Sequence, residues 1–120
     1  MKQYRLSSII LGLSLVFSQC KTKQIVYYEL PAEMSTDVRT AVQAQCEKGL
    51  VLYRLNCAKC HSDTVKGKEV IPDFSPEQLS NYEFRFANKK HEDNLNETQL
   101  TQDELVCIIA FLTYKKKNKT

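Results

Sequence analysis

Val42, Cys46, Gly49 and Tyr53 recur at intervals of four, three and four residues. That is one stripe along a helix of 3.6 residues per turn, and it predicts a first helix from about Thr36 to Leu55. Glycine inside a helix costs stability relative to alanine, so Gly49 points to the close approach of another helix. Leu105, Ile108, Ile109 and Leu112 form a second apolar face. Ahead of it, Thr101-Gln102-Asp103-Glu104 has the form of a capping box and sets the start of the last helix. Ser75-Pro76-Glu77-Gln78 combines a cap, proline at the first helical position and a reciprocal glutamine, so a helix is expected from there to about Asn88. Residues 62–74 lack periodicity and contain Gly67 and Pro72, which reads as loop, as does the polar stretch 89–99. No strand pattern competes, apart from the short run Ile25-Val26-Tyr27-Tyr28, and no internal repeat is apparent. The fold class is all-α.

The start of the chain has a different pattern. A short basic segment with Lys2 and Arg5 precedes an apolar stretch from Ile9 to Phe17. This is the form of a secretory signal, and it is too short to span a bilayer. It runs into Val16-Phe17-Ser18-Gln19-Cys20, which resembles a bacterial lipoprotein cleavage site with Cys20 as the lipidated residue. Gln19 departs from the small residue usual before that cysteine. The expected organisation is a signal over 1–19, an anchor linker over 20–35 and one folded domain over 36–120. Residues 25–28 alternatively pack as an extended arm on the domain.

With 120 residues, one domain is the default. The formal charge is +3 and falls to +1 without Lys2 and Arg5, too little to suggest nucleic acid. The tail Lys115-Lys116-Lys117-Asn118-Lys119 reads as a solvated helix end, favoured by the helix dipole, or as a docking patch for an acidic partner. Asp73, Glu77, Glu92 and Asp93 read as solvated loop and cap charges. No Ser-His-Asp set, phosphate loop or second metal cluster appears.

The chemistry is concentrated in Cys57-Ala58-Lys59-Cys60-His61. Two thiols spaced by two residues and followed directly by histidine read as a c-type haem attachment site. The thiols add to the two vinyl groups, and His61 becomes the proximal iron ligand. A bare Cys-x-x-Cys also serves zinc or dithiol chemistry; the adjacent histidine and the export signal favour haem c. Covalent haem attachment in bacteria takes place outside the cytoplasm. Five cysteines then divide into the lipid site Cys20, the haem pair Cys57 and Cys60, and a remaining pair, Cys46 and Cys107; an exported compartment permits a disulfide.

Over about residues 38–118 the chain resembles a class I, monohaem cytochrome c domain. Gly49, Tyr53, Cys57, Cys60 and His61 stand in the family's order. Ile108-Ile109-Ala110-Phe111-Leu112 resembles its C-terminal helix. The resemblance implies about three main helices around one covalent haem, with the N- and C-terminal helices crossing. It further implies that Ile108 and Phe111 pack on Gly49, that Tyr53 and Phe111 are core or haem-packing aromatics, and that the Pro72 carbonyl accepts a hydrogen bond from His61 and raises its basicity. Near such a crossing, Cys46 and Cys107 are expected to form a disulfide.

The family's second iron ligand, a methionine before the last helix, is missing: the only methionines are Met1 and Met34. His91, the only other histidine, lies close to that position and is a candidate distal ligand. Otherwise the site is open, or is filled by Lys89, Lys90, Asn94, Asn96 or Met34. Two functions follow. One is an exported electron carrier in the periplasm or at the outer membrane, held by its lipid anchor and serving a membrane or periplasmic oxidoreductase, as a free carrier or as a subunit. The other is a sensor of small ligands or redox state with an open iron site. Neither is an enzyme with acid–base residues.

Overall fold

A computed structural model describes residues 24–91 and 100–119. The signal, Cys20, Glu92, Asp93, Asn94 and Asn96 lie outside the described residues. The chain is mostly helical. Its elements are α1 (Thr36–Asn56), α2 (Ala58–His61), β1 (Asp63–Val65), β2 (Lys68–Val70), α3 (Pro76–Ser80), α4 (Tyr82–Phe86) and α5 (Gln102–Tyr114). Residues 89–91 are also helical.

The long helix α1 carries the anticipated stripe: Cys46, Gly49, Leu50 and Tyr53 are buried and Val42 is half-buried. Its partner is α5, which buries Leu105, Cys107, Ile108, Phe111 and Leu112. The contact is closest at Gly49. A Cβ there would lie 2.0 Å from the Cys107 carbonyl oxygen and 2.8 Å from Phe111 Cβ. The backbone of Cys107 and the side chain of Phe111 therefore come closest to the glycine notch. Ile108 lies with Phe111 in the cluster of Leu50, Tyr53, Ile71, Leu79 and Leu112.

Both capping boxes form. Ser75 Oγ accepts from Gln78 N–H at 3.2 Å while Gln78 Oε1 accepts from Ser75 N–H at 2.8 Å. Thr101 Oγ1 accepts from Glu104 N–H at 3.2 Å while Glu104 Oε2 accepts from Thr101 N–H at 2.9 Å. Those bonds from Thr101 hold the Glu104 carboxyl below its ordinary pKa. Thr101→Ala is expected to cost about 1 kcal/mol through loss of the cap, read as a lowered urea midpoint with an unchanged slope.

Besides the helical residues 89–91, which were expected as loop, three features differ from expectation. The 62–74 loop contains a hairpin, β1 pairing antiparallel with β2 so that Val65 faces Lys68. Lys66 and Gly67, with φ of 50° and 75°, make its two-residue turn, and positive φ at both positions matches the twist of a tight hairpin. The helix from Ser75 breaks at Asn81 into α3 and α4.

The lysine tail, finally, is solvated only from Lys116 on, and even there it is docked on the domain. Lys115 is 3% exposed and pairs with Asp73. Asn118 N–H donates to Asp73 Oδ2 at 2.9 Å, Asn118 Nδ2 to the Ile71 carbonyl at 2.9 Å, and Lys117 Nζ to the Phe74 carbonyl at 3.2 Å. The other edge of the tail pairs with the 25–28 arm: Tyr28 bridges Lys115, Glu29 N–H donates to the Tyr114 carbonyl at 2.8 Å, and Lys116 N–H donates to the Tyr27 carbonyl at 2.7 Å. Pairing satisfies backbone groups that would otherwise need water. The arm packs on the domain, with Val26 and Tyr28 against the core. No helix among the described residues is long and apolar enough to cross a membrane.

Candidate functional site

Cys57 caps α1 in the helical region of φ/ψ, and the chain turns straight into α2. Its N–H donates to the Tyr53 carbonyl at 2.7 Å. The Cys57 carbonyl in turn accepts from Cys60 N–H at 3.1 Å and His61 N–H at 2.9 Å. Residues three and four apart on such a turn share a face. The two thiols and the imidazole are thereby gathered on one side of a single turn.

That turn is braced from three directions. Tyr53, 1% exposed, places its hydroxyl 3.1 Å from Ser62 Oγ, next to His61. Arg54, in the last full turn of α1, donates to Glu69 on β2 at 2.9 Å. Gln24 closes a reciprocal pair with the Glu69 backbone, accepting at Oε1 and donating from Nε2, both at 3.0 Å. The hairpin and the arm are thus tied to the end of α1 that presents the motif.

Burial first, then the neighbouring Cys60, pushes the Cys57 thiol up to about 11. His61 has its pKa lowered, by desolvation first and then by His91 and Lys90. Lowering an imidazole pKa favours the neutral form, which has a lone pair for a metal. Around His61 stand Phe74, edge-on with ring centroids 6.2 Å apart, and His91, at 6.0 Å with the planes tilted by 30°. His91 stacks on Phe86 at 5.5 Å. Two surface hollows, one beside Ala44, Leu50 and Val51 and one along the 25–30 arm, do not border the motif.

Of the expected site residues, the structure sets Cys57, Cys60 and His61 on one turn and places the ring of His91 beside that of His61. Phe111, fully buried, sits 5.6 Å from Tyr53 and 6.5 Å from Tyr28, in the helix–helix core. The expected bond between His61 and the Pro72 carbonyl is not made. The segment around Pro72 is instead drawn onto the C-terminal tail through Ile71 and Asp73, and it offers His61 the ring of Phe74. The expected Cys46–Cys107 disulfide is likewise not formed: both are free, buried thiols on the facing helices. They are near enough that Cys107, after burial, helps push the Cys46 thiol up to about 11.

Sequence reasoning missed Phe74 and Asn88. Asn88 Oδ1 accepts from His91 N–H at 3.1 Å, and an asparagine three residues ahead of the histidine is the local signal of such a turn. Among the described residues, no three His, Cys, Asp or Glu side chains are grouped to hold a metal ion. The chain matches no protein-family model, no curated protein and no solved structure.

Proposed function

We propose that the chain is an exported, lipid-anchored, monohaem c-type cytochrome that passes single electrons between membrane or periplasmic redox proteins. The observation that carries this reading is the placement of Cys57, Cys60 and His61 on one face of the turn that ends α1. The donor set fits the group. Cys57 and Cys60 would hold it, each S–H adding across one vinyl C=C, sulfur to one carbon and hydrogen to the other, with no oxidant consumed and nothing released. His61, held toward its neutral form, is the proximal ligand. When bound, the haem iron supplies one-electron redox chemistry, tuned by its axial ligands and surroundings.

The chain's own residues hold and orient the motif. Tyr53 and the Arg54–Glu69 pair fix the turn, and Phe74 and Phe86 line the two histidines. The α1–α5 packing at Gly49 supports the cytochrome c-like arrangement. A zinc module is disfavoured because, among the described residues, no three His, Cys, Asp or Glu side chains are grouped to hold a metal ion. The lipid at Cys20 would hold the domain near its partners and raise their effective concentration.

The test is a potentiometric titration of the matured protein, followed optically. A reversible one-electron transition, with electrons exchanged rapidly with a membrane quinol-oxidising or terminal-oxidase fraction, is expected. A reduced protein that binds CO at once and exchanges electrons with neither fraction would favour the sensor instead.

A further inference from the structure

His91 is held through both its ring and its backbone. Its Nδ1 lies 3.0 Å from the Arg85 carbonyl oxygen. A carbonyl oxygen only accepts, so Nδ1 carries a proton, and in the neutral ring it is Nε2 that has the lone pair. Metal-ligating histidines are commonly prepared in this way, with the second nitrogen bonded to a carbonyl or carboxylate that sets tautomer and ring orientation. The backbone is fixed as well. His91 N–H donates to the Asn88 carbonyl at 3.0 Å and to Asn88 Oδ1 at 3.1 Å. Asn88 Nδ2 in turn bonds the same Arg85 carbonyl. The ring is further steadied by stacking on Phe86.

This prepared nitrogen belongs to a ring whose centroid is 6.0 Å from that of His61. Metal–imidazole bonds are about 2 Å long, and two imidazoles sharing one metal from opposite sides have ring centres about 6 Å apart by that length. We infer that His91 Nε2 is the second axial ligand of the iron, making this a bis-histidine site in which Arg85, through its carbonyl, and Asn88 position the distal ligand. The inference rests on the haem reading above. It closes the iron to small ligands and so separates the carrier from the sensor. It also implies a low reduction potential, because the methionine that raises the potential in Met/His sites is replaced by imidazole.

The test uses the full chain matured with haem, as wild type, His91→Ala and His91→Met. Near-infrared magnetic circular dichroism of the ferric wild type should give the bis-imidazole signature, and the ferrous spectrum should not move under CO. His91→Ala should become high-spin and bind CO, and added imidazole should restore the low-spin spectrum. His91→Met should stay low-spin with a higher potential. The wild-type signature needs no variant, so it decides the matter even where His91→Ala fails to fold. An imidazole–amine signature, pointing to Lys89 or Lys90, overturns the inference while leaving covalent haem intact, as does a wild type that binds CO. A wild type with no covalent haem overturns both readings.

Discussion

Gly49→Ala is expected to lower stability by about 3–5 kcal/mol through overpacking against a backbone that cannot adjust. Two terms oppose each other. Alanine is the better helix former by about 1 kcal/mol, and that alone would stabilise α1. The new Cβ, however, would lie 2.0 Å from the Cys107 carbonyl oxygen, 2.6 Å from its carbon and 2.8 Å from Phe111 Cβ. Two of these are backbone atoms of the facing helix, so no side chain can swing away. The helices must part, and Tyr53, Ile108 and Phe111, all buried at that interface, lose close packing together. Overpacking a dense core costs about 1–3 kcal/mol when side chains can adjust, and here they cannot. Small domains have only about 5–15 kcal/mol in total. Urea denaturation reads the change directly, with Val51→Ala, half-exposed on the same helix, as a control expected within about 0.5 kcal/mol. A Gly49→Ala loss under about 1 kcal/mol would mean that the helices do not meet at this residue.

Asp73→Ala should be the second most costly change, at about 2–3 kcal/mol. It removes the carboxylate from Lys115, whose side chain is 3% exposed, and strands an ammonium ion in the interior. It also removes the acceptor for Asn118 N–H. Lys115→Met should cost less, because Asp73, with its side chain 32% exposed, can turn to water while methionine keeps the apolar stem in place.

The pair also gives stability a pH dependence. Burial alone would raise the Asp73 pKa. The Lys115 and Asn118 hydrogen bonds and the charges of Lys115 and Lys117 outweigh it, and the pKa is lowered. A carboxyl group with a depressed folded pKa contributes its full stability above the ordinary value of about 3.9. That contribution is lost as pH falls through the folded pKa. Wild type should therefore lose stability on going from pH 5 toward pH 2, and Asp73→Asn should lose less over the same range. Parallel curves for the two proteins would remove Asp73 from the account.

The parts of the fold legible in the sequence were those written in local code. α1 and α5 announced themselves through apolar stripes and, in α5, through the Thr101–Glu104 box, because helix period and capping are short-range properties. The same holds for the Ser75–Gln78 box and for the turn carrying Cys57, Cys60 and His61. The hairpin was missed because Asp63–Val65 is exposed throughout and carries no alternation, and because lysine at the first turn position is a weak signal beside Asn-Gly. The burial of Lys115 was illegible for a different reason. Its partner Asp73 lies 42 residues away, and nothing in a run of lysines tells which of them will meet a carboxylate. The stripe of α5 fixes its buried face, but that the Cys107 backbone comes closest to Gly49 depends on how the two helices dock. At the site, His91 was legible only as the remaining histidine; its tautomer depends on a carbonyl that local sequence does not place.

The most direct measurement is the intact mass and denaturing-gel haem stain of the chain expressed with the cytochrome c maturation apparatus. It should be made beside the Cys57→Ser/Cys60→Ser double variant. Wild type should carry one haem that survives denaturation, and the double variant none. A wild type that loses all haem on denaturation, or a double variant that keeps it, would contradict the assignment of Cys57 and Cys60 as the covalent attachment site.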